Sequence, residues 1–175
     1  MIDFSARARA IALVVFDVDG VLTDGSLYIG DDGQEYKAFN SRDGHGMTML
    51  REAGIGMAVI TGRSSEVVRI RMESLGVEHV YQGRRDKWPA YESLRVACGL
   101  HDSQIAYVGD DVVDLPVMRH VGLAIAVADA HPLVRAHCHW QTQTPGGRGA
   151  AREFCERLLE AQGKLDALFA RYLGA

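Results

Sequence analysis

Short apolar runs alternate along the chain with longer segments in which apolar residues recur every three or four positions. The short runs are typical of buried strands, and the longer segments are typical of amphipathic helices. The predicted strands span residues 11–16, 56–60, 80–81, 105–108 and 124–127, with a last one at Trp140. The predicted helices span residues 46–53, 87–98, 115–118 and 132–136, and a further helix ends at Leu75 with Ser64 or Ser65 as its cap. This alternation predicts an α/β fold: an open, mostly parallel sheet covered by helices on both faces.

Two segments depart from the alternation. Residues 27–29 and 35–39 are strand-like and flank Gly30-Asp31-Asp32-Gly33, which predicts a small β-hairpin flap over about residues 26–40. After the hairpin, Arg42 leads directly to the helix predicted from Gly46, so there is no room for a cap domain. The C-terminal tail, about residues 145–175, begins with glycines and continues as amphipathic helix. We therefore expect one catalytic domain over residues 1–175.

Composition and charge restrict the possible functions. The chain has 175 residues, 47% apolar content and 24% charged residues, which is typical of a soluble globular domain. Its net charge of -4 gives no reason to expect a nucleic-acid or membrane partner. The short N-terminal apolar run leads into acidic residues rather than a cleavage site, so we do not expect a signal peptide. Cys98, Cys138 and Cys155 are odd in number and widely spaced, which favours a reducing cytoplasm over disulfides or a zinc site.

Polar residues follow the predicted strands at the points where the strands end. Asp17 and Asp19 follow the first strand, Thr61-Gly62-Arg63 follow the second, and Asp110-Asp111 follow a later one. Lys87 begins the helix after another strand. Ligands of open parallel sheets lie beyond the carboxyl ends of the strands, so we expect these side chains to converge.

A cluster of carboxylates at one sheet edge requires a compensating cation. Mg²⁺ prefers oxygen ligands and would reduce the repulsion between the carboxylates. Together with Lys87, the Thr61 hydroxyl and the Gly62 amide, the cation could hold a phosphoryl group. One aspartate could then attack phosphorus while a second transfers protons, and Asp17 and Asp19 have suitable spacing for these two tasks.

Structural explanations compete with each of these assignments. The Asp17–Asp19 pair could be an acidic turn, and Asp110, Asp111 and Asp114 could be a helix-capping cluster. Thr61 could cap a helix, and Lys87 could be a solvated surface lysine. Arg42 and Arg63 could form surface ion pairs, and Arg148 could simply be exposed. His137 and His139 flank Cys138 as metal ligands might, but alternation along a strand explains their spacing equally well.

The ordered motifs resemble those of a known family. Asp17-Val18-Asp19-Gly20-Val21-Leu22-Thr23, Thr61, Lys87 and residues 109–114 resemble the four motifs of the haloacid dehalogenase superfamily phosphatases. Over about residues 14–164 the chain is most similar to the capless members that hydrolyse 3-deoxy-D-manno-octulosonate 8-phosphate in lipopolysaccharide synthesis. Further similar segments are Arg42-Asp43-Gly44, Thr61-Gly62-Arg63, and residues 110–116, 127–130, 146–150 and 162–164.

The resemblance implies a Rossmann-like core and a role for each matching residue. Asp17 would be the nucleophile and Asp19 the general acid/base, with Mg²⁺ held by Asp17, the Asp19 carbonyl and Asp110. The remaining roles would be phosphate binding by Thr61 and Lys87, support of the metal and lysine by Asp111 and Asp114, and substrate binding by Gly62, Arg63, Arg42 and Arg148. The resemblance also implies a homotetramer in which the hairpin and tail close a neighbouring site, with Arg148 acting in trans. His45, Arg84, Arg85 and the residues after Lys164 match no rule of the family.

Alternatives to this function remain open at the level of sequence. A nine-carbon nonulosonate 9-phosphate could replace the eight-carbon sugar acid, because related capless phosphatases share all the catalytic motifs. A receiver domain of two-component signalling uses similar residues, but it has its adjacent acid pair at the first strand, whereas here that pair comes late. An interaction domain that has lost catalysis is disfavoured because every expected catalytic residue type is present.

Overall fold

The computed structural model describes residues 4–174, which form eight strands and eight α-helices. The strands are β1 (Leu13–Phe16), β2 (Tyr28–Ile29), β3 (Glu35–Tyr36), β4 (Gly56–Ile60), β5 (His79–Tyr81), β6 (Ile105–Gly109), β7 (Leu123–Ala126) and β8 (Trp140–Gln141). The helices are α1 (Phe4–Ala8), α2 (Ser41–Glu52), α3 (Glu66–Leu75), α4 (Trp88–Cys98), α5 (Leu115–Met118), α6 (Pro132–His137), α7 (Ala150–Ala161) and α8 (Leu165–Leu173). Two 3₁₀ turns, Asp102–Gln104 and Val112–Asp114, flank β6.

Six strands form one sheet in the order β5-β4-β1-β6-β7-β8, and each neighbouring pair is parallel. β1 lies inside the sheet with all four residues buried, as its uniformly apolar sequence predicts. Phe16 at its end is paired with Val59 on one side and with Val108 on the other. The α/β architecture predicted from the sequence is confirmed.

Helices cover both faces of the sheet. The chain moves from β1 outward through α2 and α3, then crosses back to β6 and continues outward through α5 and α6. Because parallel crossovers are right-handed, this reversal places α2 and α3 on one face and α4, α5 and α6 on the other. α7 packs against α2, and α1 packs against α7. The carboxyl ends of β1 and β6 therefore meet where the direction of winding reverses.

Helix α2 begins earlier than the predicted start at Gly46, and this prediction is wrong by five residues. Asn40 caps the helix, since its Oδ1 accepts a hydrogen bond from the Arg42 amide at 2.9 Å. Glycines lower helix propensity, which concealed the first turns in the sequence. A Cβ atom on Gly46 would lie 3.0 Å from Cα of Arg152, so glycine here allows α2 and α7 to approach closely.

The predicted hairpin is present but shorter than expected. β2 and β3 pair antiparallel, with Tyr28 opposite Tyr36, and residues 37–39 lie outside the strands. The chain passes from this hairpin through Asn40 into α2, so no cap domain is inserted at this point. Across residues 4–174 no helix has the length and apolar character needed to cross a membrane.

Several element boundaries follow the expected local chemistry. Gly76 ends α3 with φ of +71° and Pro89 lies in the first turn of α4, both as predicted. Lys87, rather than the predicted Asp86, occupies the cap position of α4, and the Asp86 carboxylate accepts a hydrogen bond from the Trp88 amide at 3.2 Å from one residue earlier. Ser65 occupies the cap position of α3, but its side chain makes no capping hydrogen bond.

Candidate active site

Asp17 and Asp110 lie side by side because they follow adjacent strands, β1 and β6. The Asp17 amide donates a hydrogen bond to the Val108 carbonyl at 3.0 Å, which continues the ladder between the strands. The Asp17 carboxylate is held by the Val18 amide, 2.7 Å from Oδ1. Strand order therefore brings together two acids that are far apart in the sequence, at the edge where such sheets bind ligands.

Lys87 connects two buried carboxylates. Its ammonium Nζ lies 2.6 Å from Oδ1 of Asp114 and 2.9 Å from Oδ2 of Asp17. The side chain is 1% exposed. Burial by itself lowers the pKa of Lys87, but the charges of Asp114 and Asp17 outweigh burial, so the pKa is raised. Lys87 is therefore a fixed positive charge beside Asp17.

Asp114 uses both carboxylate oxygens within the protein. Oδ1 accepts hydrogen bonds from Lys87 and, at 2.7 Å, from the Tyr107 hydroxyl. Oδ2 accepts from the backbone amides of Asp110 at 3.0 Å and Asp111 at 3.2 Å. Asp114 thus fixes the turn that carries Asp110 and orients Lys87. Tyr107 was not predicted as a site residue, since an aromatic side chain in an apolar strand looks like core.

The carboxylates of Asp17, Asp110 and Asp114 lie close together, with one oxygen of each within 4.8 Å of the others. We call these three residues the acidic cluster. Burial, followed by the negative charge of Asp114, raises the pKa of Asp17 to about 7 and that of Asp110 to about 8. Carboxyl groups with such pKa values hold protons near neutral pH when no cation is bound. A bound divalent cation would keep them ionised at neutral pH.

The residues of the cluster fit magnesium. Oδ1 of Asp110 is buried and has no hydrogen-bond partner among residues 4–174. A buried carboxylate oxygen without a partner is costly unless a ligand or ion satisfies it. Asp114 is already fully hydrogen-bonded, so Asp17 and Asp110 are the carboxylates available to a cation. Both supply the oxygen atoms that Mg²⁺ prefers.

Asp19 lies outside the acidic cluster and pairs instead with Lys37. The Lys37 ammonium forms an ion pair with Oδ1 of Asp19 and lies 2.8 Å from Oε1 of Glu35. The other oxygen of Glu35 is 3.5 Å from the guanidinium of Arg63. Neither Lys37 nor Glu35 was predicted as a site residue, because strand alternation in an exposed hairpin assigns such side chains to solvent.

Thr61, Gly62 and Arg63 form a loop that is joined to the loop after β5. The Thr61 amide donates to the Tyr81 carbonyl at 2.9 Å, and the Arg84 amide donates to the Thr61 carbonyl at 2.9 Å. Thr61 is buried, Gly62 is half-buried and Arg63 is exposed. Gly62, Arg84 and Arg85 line a cavity of about 590 Å³. Arg84 and Arg85, which match no family rule, therefore lie beside the predicted phosphate loop.

The C-terminal tail packs against the loop that follows Asp19. The Gly147 amide donates to the Val21 carbonyl at 2.9 Å, and Arg148 forms an ion pair of 2.8 Å with Asp24 of the same chain. A Cβ atom on Gly146 would lie 2.6 Å from the Gly20 carbonyl carbon, so this contact requires glycine. The tail thus lies beside the site of its own chain, and Arg148 is not in contact with the acidic cluster.

Three further predicted or unassigned residues are exposed or partly exposed: Arg42, Asp111 and His45. Arg42 is exposed in the first turn of α2, and Asp111 is exposed and caps the following 3₁₀ turn through the Val112 amide at 2.7 Å. His45 contacts the Tyr172 hydroxyl at 3.1 Å, which links the residues after Lys164 to α2.

His137 and His139 do not converge on a metal site. Nδ1 of His139 accepts from the Ala124 amide at 2.8 Å, whereas Nδ1 of His137 lies 2.9 Å from the Leu133 carbonyl. The two histidines have separate structural partners.

Comparison with known proteins identifies relatives along nearly the whole chain. Residues 73–154 match the haloacid dehalogenase-like hydrolase family. The 3-deoxy-D-manno-octulosonate 8-phosphate phosphatase of Yersinia pestis is 48% identical over 164 residues, covering 94% of this chain and 88% of the relative. The corresponding protein of Escherichia coli strain K12 is 49% identical over 94% of this chain and 87% of its own length.

Solved structures agree with the sequence comparison. The crystal structure of the Yersinia pestis phosphatase superposes with a TM-score of 0.91 and covers 93% of this chain and 88% of that one. The phosphatase of Moraxella catarrhalis, solved with a magnesium ion, a phosphate ion and a KDO molecule, is 41% identical with a TM-score of 0.94. It covers 96% of this chain and 97% of its own.

Proposed function

The chain belongs to the haloacid dehalogenase-like hydrolase family, and from that premise we propose that it is a magnesium-dependent phosphatase acting on 3-deoxy-D-manno-octulosonate 8-phosphate. The products would be the sugar acid KDO and inorganic phosphate. The observation that carries the proposal is the arrangement of Asp17, Asp110 and Lys87 at one sheet edge, where one buried Asp110 oxygen has no hydrogen-bond partner among residues 4–174. The named relatives support the choice of substrate, and the Moraxella catarrhalis structure supports the choice of cation.

Asp17 performs the first half of the reaction. A carboxylate oxygen of Asp17 bonds to phosphorus as the bond between phosphorus and the sugar oxygen breaks. The leaving sugar oxygen takes the electron pair and receives a proton from the Asp19 carboxylic acid, which yields the sugar alcohol. Asp17 then carries the phosphoryl group as an aspartyl phosphate.

Asp19 performs the second half. Its carboxylate, deprotonated in the first step, takes a proton from water as the water oxygen bonds to phosphorus. The bond between phosphorus and Asp17 breaks, which returns the Asp17 carboxylate and releases inorganic phosphate. Lys87 stabilises the negative charge next to Asp17 throughout, and Asp114 keeps Lys87 in place.

Mg²⁺ would be held by Asp17, the Asp19 carbonyl and Asp110, and when bound it supplies positive charge to the phosphoryl oxygens. Asp111 would support this metal site. Thr61 and the Gly62 amide would bind the phosphoryl group with Lys87. Arg63, Arg42 and Arg148 would contact the sugar acid.

The proposal is tested by measuring phosphate release from 3-deoxy-D-manno-octulosonate 8-phosphate with Mg²⁺ and with EDTA. We expect turnover that needs the cation, and no turnover by Asp17→Asn. Asp166→Asn, on the exposed side of α8, is the matched control and should behave as wild type. A hydroxylamine-sensitive phosphate label on wild type that is lost in Asp17→Asn would identify the intermediate. Absence of turnover on any phosphorylated sugar acid would refute the proposal.

The length of the sugar acid is decided by a direct comparison of substrates. The same assay with a nonulosonate 9-phosphate gives a second kcat/KM value. We expect the eight-carbon substrate to have the larger value. A larger kcat/KM for the nine-carbon substrate would show that the nonulosonate 9-phosphate is the preferred substrate, and the proposed mechanism would stay the same.

We also propose that the active form is a cytoplasmic homotetramer in which the hairpin and tail close a neighbouring site. Support comes from the hairpin's exposed apolar side chains, Tyr28 at 53%, Ile29 at 63% and Tyr36 at 58%. An open site without a cap also needs another means of excluding water. Cys98, Cys138 and Cys155 are free thiols, which suits a reducing compartment.

Light scattering tests the assembly. Ile29→Asp should convert a tetramer into smaller species and raise KM, since the neighbouring hairpin no longer completes the site. Ile70→Asp is the matched control, because Ile70 is an exposed isoleucine of α3, 54% exposed and outside the hairpin. A fully active wild-type monomer would contradict this proposal.

A further inference from the structure

We propose that Lys37 is a positioning residue for the general acid/base Asp19, so that the hairpin controls proton transfer to the leaving sugar oxygen. This inference rests on the proposed phosphatase function. It assigns a role in the reaction to a residue that has no counterpart in the four ordered motifs.

The first support is the burial of the Lys37 side chain. The side chain is 0% exposed, although it follows a two-stranded hairpin on which Tyr28 and Tyr36 are each more than half exposed. A buried ammonium without partners is strongly unfavourable, so a lysine turned inward needs specific carboxylates. Asp19 and Glu35 are the carboxylates that pair with it.

The second support is the way in which Asp19 is held. Among residues 4–174, Lys37 is the one hydrogen-bond donor to the Asp19 carboxylate. Asp17, by contrast, is fixed by both the Val18 amide and Lys87. The orientation of the Asp19 side chain therefore depends on a residue 18 positions away, on the far side of the hairpin.

The third support is a chain of alternating charges from Asp19 to the predicted sugar contact. Lys37 lies between Asp19 and Glu35, and Glu35 also contacts Arg63 at 3.5 Å. Contact with the Lys37 ammonium, together with the charges of Lys37 and Arg63, lowers the pKa of Glu35 despite partial burial. Glu35 thus remains a carboxylate that holds Lys37 together with Asp19.

This arrangement matters because proton transfer depends on geometry. A general acid acts only when it lies within hydrogen-bond reach of the oxygen that it protonates. Without Lys37 the Asp19 side chain keeps its acid group but loses the contact that selects its orientation. The first step with an alkoxide leaving group needs that proton, whereas a nitrophenolate departs with its electron pair and needs none.

Substrates with different leaving groups therefore distinguish a role of Lys37 in proton transfer from a purely structural role. Lys37→Met and Lys37→Arg are compared with wild type on the sugar acid phosphate and on p-nitrophenyl phosphate. For Lys37→Met we expect kcat on the sugar acid phosphate to fall about 100-fold with little change in KM. The pre-steady-state burst of nitrophenolate should keep its wild-type rate, while the later steady-state rate falls because Asp19 also activates water. Lys37→Arg should restore part of kcat, since it returns a cation.

Lys164→Met is the matched control, a lysine whose ammonium donates to the Ala53 carbonyl at 3.1 Å in another part of the molecule. It should leave both the burst and the sugar turnover unchanged. An equal loss of the burst and of sugar turnover in Lys37→Met, or no loss of either, would overturn the inference.

Failure of the proposed substrate is distinguishable from failure of this inference. If wild type releases no phosphate from the sugar acid phosphate, the substrate proposal fails. The role of Lys37 is then judged from the same comparison between an alkyl phosphate that wild type does hydrolyse and p-nitrophenyl phosphate. If Lys37→Met loses turnover of the alkyl phosphate but keeps the nitrophenolate burst, the inference is supported. If it loses both equally, the inference is overturned.

Discussion

Gly20 and Asp110 are in such close contact that no side chain fits between them: a Cβ atom on Gly20 would lie 2.5 Å from Cγ of Asp110. Gly20 also has φ of +92°, a conformation that favours glycine. The turn after β1 therefore passes directly beside the carboxylate that follows β6. The glycine of the first motif makes room for an acid of the last.

Replacing Gly20 by alanine should displace the Asp110 carboxylate and weaken magnesium binding. Titration calorimetry should give a lower Mg²⁺ affinity for Gly20→Ala, with a matching loss of turnover. Gly54→Ala is the control, because Gly54 also has positive φ, +75°, but apart from its chain neighbours nothing in residues 4–174 lies within 4 Å of its added Cβ. Gly54→Ala should lose stability but keep the wild-type Mg²⁺ affinity and turnover. Equal Mg²⁺ affinities in the two variants would contradict the role of the close contact.

Removal of the Lys87 charge should destabilise the fold as well as the reaction. Lys87→Met would leave Asp17 and Asp114 without their buried cation, and breaking a buried pair typically costs about 3–5 kcal/mol. Chemical denaturation in EDTA measures this loss. Added Mg²⁺ should recover part of it, since the cation compensates the same carboxylates. A Lys87→Met variant as stable as wild type in EDTA would contradict the charge-pairing argument.

The stability of the protein should depend on pH and Mg²⁺ in a linked way. The pKa values of about 7 for Asp17 and about 8 for Asp110 lie above the ordinary 3.8, so the folded chain binds more protons than the unfolded chain. In EDTA the free energy of unfolding contributed by these groups should therefore fall as pH rises from 3.8 to about 8. Mg²⁺ needs the ionised carboxylates, so its effect on Tm should grow over the upper part of that range.

Thermal melting at several pH values, with and without MgCl₂, measures this linkage. Asp110→Asn should lose most of the Mg²⁺ effect, because it removes one of the two available carboxylates. A rise in Tm on adding Mg²⁺ that is the same at every pH would show that protons and the cation do not compete for these groups.

The Tyr107 hydroxyl should contribute to activity through Asp114. Tyr107→Phe removes a buried hydrogen bond to Asp114 and should cost about 1 kcal/mol of stability. It should also lower kcat, since Asp114 orients Lys87. Tyr91→Phe is the matched control, because the Tyr91 hydroxyl donates to Asp102 at 2.6 Å away from the acidic cluster. We expect similar stability losses but lower turnover only for Tyr107→Phe, and equal turnover would contradict this role.

Local physical chemistry determined most of the fold. Apolar runs identified the strands of the sheet, and Gly76 and Pro89 marked helix boundaries, because turns and caps depend on neighbouring residues alone. The start of α2 could not be predicted in this way. Gly44 and Gly46 disfavour a helix locally, and only the packing of α7 against Gly46 explains why glycine occurs there.

Some residues of the candidate site could likewise be predicted from the sequence, and others could not. The convergence of Asp17, Lys87 and Asp110 could be predicted from the sequence, since each follows a recognisable strand and parallel strands end at one edge. The role of Thr61 stays a prediction. Lys37 and Tyr107 could not, because only the tertiary structure determines whether a hairpin lysine points to solvent or a strand tyrosine reaches an acid. Likewise, the sequence by itself determined that acids would gather at the sheet edge. Only the tertiary structure decided that, within residues 4–174, Asp114 is fully hydrogen-bonded while Asp110 keeps a free oxygen, because hydrogen bonding depends on partners that chain order does not specify.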